Sequence, residues 1–489
     1  MDFVGKSWTN STISVTVGWM SAPKDNNQPE PLEELKKENQ SLREQLEKAL
    51  AENERLRQRL EEALRSLKRQ AAPFSKGEPK LHPKRPGRKP GAEYGPRASR
   101  PVPRRVDEEL PVPVPERCLS CGGPVVYEQT ESQFQEDIVR RTVVRRFEVQ
   151  IGRCAGCRRR VQGRHPLQTS DAVGAAQVQL GPEALSLAAH LNKEMGISHE
   201  RVARALELGY GLKVSRSTLC RALLRLGQKA EPTYQQLRVA IRKSPINWLD
   251  ETGWRVAAHL EWLWVALSPQ VTVYAILPGR GFPQAAGLLG EDYAGFLHHD
   301  GWRPYYRFLQ AGHQSCLSHL IHRCQNLLEV ASPAAAGFPQ TVLQLLHAGL
   351  ALRDRYRHDQ ISPHGLAVAT GRLEASMDRL LQKSFRSPLN CRLAKHLRHE
   401  QPYLFTFLRC PDFLDATNNA AERALRPAVI ARKTWGGNRT PAGAQSQQIL
   451  ASILRTCWQQ SKDTFQRFTH LLRSRQPMIL DIIPASQSP

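Results

Sequence analysis

Residues 246–254 read Ile246-Asn-Trp-Leu-Asp-Glu-Thr-Gly-Trp254, a short apolar run that ends in Asp250 with Glu251 beside it. A second run of this kind, Phe296 to Trp302 (FLHHDGW), ends in Asp300. Between them, Trp262–Leu267 and Val271–Leu277 are further compact apolar runs, parted by the turn residues Ser268-Pro269-Gln270. Three consecutive antiparallel strands are predicted. Phe282 to Leu289 then predicts a crossover helix, and Gly295 to Asp300 a fourth strand parallel to the first. Three antiparallel strands, a helix and a parallel strand begin an RNase H-like α/β sheet. In such a sheet the first and fourth strands are neighbours, which would set Asp250 beside Asp300. The whole chain is expected to be multidomain α/β with α-rich parts, because 489 residues exceed one core at ~100–200 residues per domain.

Acids at strand ends suggest metal chemistry. Two divalent ions ~3.5–4 Å apart can activate a nucleophile and stabilise the leaving oxygen of a phosphodiester. Hard ions such as magnesium or manganese want carboxylate oxygen. Glu251 competes with Asp250 for the role; side chains alternate along a strand, so one of the two faces the metal, and position favours Asp250. A third acid is offered far downstream in Asn418 to Pro427 (NNAAERALRP), where Arg423, Arg426, Arg432 and Lys433 surround Glu422. Asn419-Ala-Ala-Glu422 is also a helix-capping pattern, in which the Glu returns to the backbone. Pro427 should interrupt that helix soon afterwards.

The remainder would deliver DNA to these acids. The formal net charge is +23, which favours a polyanionic partner. Residues 1–30 are polar and irregular and read as disordered. From Leu32 a heptad runs through residues 31–69. One seam is Leu32, Asn39, Leu46, Asn53, Leu60 and Leu67, and the other is Leu35, Leu42, Ala49, Leu56 and Ala63. That is a coiled-coil pattern, expected to make a homodimer or higher oligomer. Residues 70–115 form a basic Pro/Arg-rich linker. Lys76 to Arg105 alone holds ten basic and two acidic side chains. Its KRPGRKPG stretch, with Arg85, Arg88 and Lys89, is similar to arms that enter narrow minor grooves, although simple phosphate attraction would give the same composition. A zinc-binding module is expected over 116–168. Cys118 with Cys121, and Cys154 with Cys157, form two CxxC pairs that could supply four thiolates to structural zinc. Alternation over Arg140 to Ile151 predicts a β-hairpin with an Arg-rich face. Residues 180–230 read as a helix-turn-helix-like segment, with helices starting at Ser198 and Ser215 and with Arg216, Arg221 and Arg225 left for DNA. A plain helical bundle would give the same pattern.

The catalytic core is expected in two parts, 243–330 and 411–465, around a helical insertion over 331–410. Cys316-Leu-Ser-His319, with His313, His322 and Cys324 nearby, admits either a second metal site or a helix packed on the sheet. The tail, 473–489, reads as disordered. No run of ~18 apolar residues exists and the start is a poor signal peptide, so no membrane span and a bacterial cytoplasmic location are expected.

These motifs together resemble DDE transposases of the insertion-sequence sixty-six family. They are LDETGWRV at Leu249 to Val256, HHDGWRPY at His298 to Tyr305, CLSHLIHR at Cys316 to Arg323, and NNAAERALRP with ARK at Ala431 to Lys433. The order of zipper, basic linker, CxxC pairs, helical segment and core is similar too. The resemblance implies that Asp250, Asp300 and Glu422 are the acidic triad and hold magnesium. It also implies cutting at transposon ends and joining of 3′-hydroxyls to target DNA, with accessory proteins of the same element as further partners. Thr417 departs from the Asp that family members often carry there. Two other readings remain: a non-catalytic, zinc-containing dimeric DNA-binding regulator, and a structure-selective nuclease that cuts without joining.

Overall fold

A computed structural model of the chain describes residues 37–53, 56, 101–139, 141–173 and 178–483. The linker residues Arg85, Arg88 and Lys89, the expected disorder of 1–30 and most of the second half of the heptad fall outside them. The chain divides into two units, Met1–Leu81 and His82–Pro489. In the first, residues 37–53 form a helix, α1. The seam leucines Leu42 and Leu46 are 56% and 60% exposed on it.

In the second unit, residues 101–116 run without regular structure. Among the described residues, 141–150 form no strand of the expected hairpin. β1 (Ile151–Arg153) and β2 (Arg160–Gln162) pair, antiparallel, around the second CxxC. The arginine side chains between Arg141 and Arg146 are exposed, and no facing strand buries the alternate apolar residues.

Helices follow. α2 (Pro182–Ala189) continues into a π-turn, His190–Glu194, and leads to α3 (His199–Tyr210) and α4 (Arg216–Lys243). The Ser198 hydroxyl accepts from Arg201 N and the Ser215 hydroxyl from Thr218 N, as N-caps do. Leu219, Leu223 and Leu226 are buried, and Arg216, Arg221 and Arg225 are exposed. α4 does not stop near residue 230. It runs on to Lys243, and the Tyr234 hydroxyl donates to Tyr274 O at 2.8 Å. The helix therefore belongs both to the helical segment and to the sheet it leads into.

The sheet comprises β3 (Ile246–Val256), β4 (His259–Leu267), β5 (Thr272–Leu277), β6 (Phe296–His299) and β7 (Gly312–Ser315), with α5 (Phe282–Leu289) crossing from β5 to β6. Its order is β5-β4-β3-β6-β7. β3, β4 and β5 are antiparallel neighbours, whereas β6 lies parallel to both β3 and β7. One face packs Leu249, Trp264, Ala266, Val273 and Ala275 against α4 and α5. A helical block then intervenes: α6 (Leu317–Val330), α7 (Pro333–Arg357), α8 (Pro363–Leu381), α9 (Pro388–Glu400) and α10 (Thr406–Arg409), with a core of its own.

The chain returns as α11 (Asn419–Trp435), α12 (Pro441–Gln459) and α13 (Thr464–Arg473). α11 covers the other sheet face, where Ala421, Ala424, Leu425 and Ala428 meet Trp254, Leu263 and Val265. Pro427 does not interrupt it. The lost amide and ring clash, worth ~3 kcal/mol in a helix interior, are outweighed by apolar burial on both sides of the proline. α12 covers the outer edge of β5. Its Gln448, Ser452 and Thr456 side chains accept from the backbone amides of Ile276, Tyr274 and Thr272. These bonds blunt an edge that would otherwise recruit another strand. The tail expected to fray is packed as far as residue 483. Leu480 and Ile482 are buried, and Leu480 N donates to the Thr233 hydroxyl at 3.0 Å.

Candidate active site

β3 and β6 set the site. Trp248 pairs with His298 in the parallel ladder, and their rings stack with centroids 5.0 Å apart. Asp250 and Asp300 each lie two residues beyond that pair, so alternation sends both to the face that α11 covers. Glu251 leaves β3 on the opposite face. There its buried carboxylate is ion-paired with Arg280 Nε and accepts from the Tyr305 hydroxyl. Glu251 is thereby committed to the interior.

Asp250 accepts from Glu251 N at 2.8 Å and has no cationic side chain paired with it among the described residues. Burial pushes its carboxyl up to about 8, and the negative charges of Glu251, Asp300 and Glu422 push the same way. Asp300 accepts from Trp302 N at 2.9 Å, and Arg280 Nη2 stands 3.9 Å from its carboxylate. Gly301 follows at φ +86°, and a side chain there would strike the buried Glu400 carboxylate. Arg280 is sandwiched by Trp262 and Trp302 at 5.1 and 4.4 Å, so its guanidinium stays between Glu251 and Asp300. Sequence reasoning missed Arg280. Its only signal is a lone arginine between Gly279 and Gly281 just before the crossover helix.

Glu422 comes from the first turn of α11 and does not cap it. The N-cap is Asn418, whose side-chain amide instead donates to Leu249 O at 3.0 Å. Asn418, also missed, thus ties the start of α11 to β3 immediately before Asp250. Glu422 Oε1 lies 3.5 Å from His319 Nε2, in the first turn of α6. Asn418 N donates to Cys316 Sγ at 3.1 Å, and burial pushes that thiol up to about 11. Asp250 therefore lies in the field of both Asp300 and Glu422. Glu422 is nevertheless turned towards His319 and Cys316, and among the described residues the three acids are not gathered into one ligand cluster.

The basic residues divide. Arg423 and Arg426 are exposed on α11 beside Glu422. Arg432 is partly buried, and its Nη1 donates to the Thr252 hydroxyl and to Gly253 O of β3. Lys433 is half-buried. The two CxxC pairs each sit in a tight turn; the backbone amides of Ser120 and Cys121 lower the Cys118 thiol below the usual range, and those of Cys157 and Gly156 lower Cys154. Among the described residues the four sulfurs are not gathered into one ligand cluster; the group of that kind is Cys316, His319 and Glu422.

An unpaired, proton-holding aspartate beside two further acids is the donor chemistry that hard divalent cations satisfy. Among the described residues no helix is long and apolar enough to cross a membrane. A comparison with known families matches residues 177–446, more than half of the chain, to the Transposase IS66 family. No curated protein matches.

Proposed function

The chain belongs to the IS66 transposase family, and we propose that it cuts the ends of its element and joins the 3′-hydroxyls to target DNA through Asp250, Asp300 and Glu422. The observation that carries this reading is the parallel register of β3 and β6, which puts Asp250 and Asp300 at one end of one sheet face. The sheet order β5-β4-β3-β6-β7 also supports an RNase H-like core. In this reading Asp250, Asp300 and Glu422 hold two magnesium or manganese ions, which would stabilise charge on the attacking and leaving oxygens. Asp250 would lose its proton on becoming a ligand, and Glu422 would have to turn from His319 towards Asp250. Arg423 and Arg426 hold phosphates, and Arg216 and Arg221 hold the duplex away from the reaction centre. Cys118, Cys121, Cys154 and Cys157 would hold a structural zinc if the two turns met.

The test is incubation with the DNA flanking its own gene plus magnesium, mapping nicks and strand transfer. Asp250→Asn, Asp300→Asn and Glu422→Gln should each cut cleavage by on the order of 10³-fold, beyond the roughly 10–100-fold of an outer-shell change, with DNA binding in gel shift retained. Full cleavage by any variant removes that residue from the mechanism. Cutting without joining of pre-cut ends would indicate a nuclease, and binding without any nick a regulator.

A further inference from the structure

The first turns of α6 and α11 assemble a second set of donors around Glu422. Cys316 Sγ, a His319 ring nitrogen and a Glu422 carboxylate oxygen all lie within 4.8 Å of one another. Cys316 is buried at the N-cap of α6, with its sulfur already accepting from Asn418 N. His319 Nδ1 is buried without a hydrogen-bond partner. Thiolate, imidazole and carboxylate are the ligands of zinc, and three protein ligands leave a fourth position for water. Magnesium and manganese favour oxygen donors over thiolate. The two donor sets therefore select different ions, and they share one residue.

We propose that Cys316, His319 and Glu422 bind a zinc-type cation, and that this ion withdraws Glu422 from Asp250 and Asp300. As the ion binds, the Cys316 S–H bond breaks, a sulfur–metal bond forms and the proton passes to solvent, so apparent affinity rises with pH. The Asn418 amide and the α6 N-terminus both stabilise the thiolate produced. Ligand-to-ligand distances under 4.8 Å need only a small closure to reach metal–sulfur bonds of ~2.3 Å and metal–nitrogen bonds of ~2.0 Å. Binding stands on this geometry alone. The inhibitory consequence rests on the phosphoryl-transfer reading above.

The experiment is a cobalt(II) titration of the metal-stripped full chain with Cys118, Cys121, Cys154 and Cys157 changed to Ser, which removes the other thiol pairs. One equivalent should give a thiolate-to-cobalt absorption band that zinc displaces and magnesium does not. The band should vanish in Cys316→Ser and bind cobalt at least tenfold more weakly in His319→Gln. His319 is half-exposed, so its variant should fold, with circular dichroism as the check. Absence of the band, or its survival in both variants, overturns the site. In the cleavage assay, micromolar zinc should inhibit the wild-type chain many-fold more than His319→Gln, each measured against its own zinc-free rate. Equal inhibition overturns the withdrawal of Glu422 even if the cobalt site is present. A chain that cleaves nothing overturns the phosphoryl-transfer reading, while the cobalt spectrum still decides the site.

Discussion

Asp250 is half-buried, and burial together with the charges of Glu251, Asp300 and Glu422 keeps it protonated up to about 8. In the unfolded chain an aspartate titrates near ~3.9. Between those values the folded protein holds a proton that the unfolded chain has released. Stability from this residue is therefore fully present below pH ~3.9 and is lost as the pH rises through about 8. Partial solvent screening reduces the effect to ~2 kcal/mol. Urea midpoints of the metal-free protein should fall between about pH 5 and about pH 8.5, and the fall should be smaller by that amount in Asp250→Asn. Magnesium added at the higher pH should restore the wild type and not the variant. Identical pH profiles for the two proteins would remove Asp250 from any such strain.

α4 and α12 cross in close contact at Gly227. A Cβ built on Gly227 would sit 2.9 Å from Ser446 Oγ and 3.1 Å from Ser446 Cα. Replacing a helix glycine gains ~1 kcal/mol of propensity at most, whereas overpacking a tight core contact costs ~1–3 kcal/mol. The valine variant, which adds two methyls beyond that Cβ and is β-branched, should lose ~2 kcal/mol in denaturant unfolding, and a stabilised variant would show that the two helices can separate freely. The strands and α5 were legible because apolar runs between turn residues announce them, and α5 has the limits expected from sequence. β7 was not legible. Its Gly312-His-Gln-Ser315 is polar yet buried, because Gln314 exchanges hydrogen bonds with Phe407 N and Leu404 O of the helical block. The run of α11 through Pro427 was hidden for the same reason, since tertiary packing decided it. Asp250 and Asp300 could be paired from sequence because a strand ladder fixes their register. Glu422 could not, because the intervening helical block leaves its distance from β3 unspecified, and Asn418 and Arg280 act through geometry that spacing does not encode.

At the scale of the molecule, the two units have different sources of stability. His82–Pro489 holds a buried apolar core on each sheet face and another in the helical block. The α1 helix has no such core. Asn39, Leu42, Leu46, Ala49, Asn53 and Leu56 are all exposed in the single chain. A helix of this length is marginal in water on its own. Burying a leucine contributes ~1.5–3 kcal/mol, so a seam of several leucines on each copy can offset an association cost of ~4–15 kcal/mol. The opposed charges Glu38 and Arg43 favour a parallel pair with a second copy. Deleting residues 32–68 should therefore turn an oligomer into a monomer by light scattering and leave the thermal transition of the remaining core within ~2 °C, since the buried core clusters are built from residues of the other unit. An unchanged mass would place self-association elsewhere in the chain. A collapsed transition would instead mean that the heptad region supports the core, which the exposure of its seam argues against.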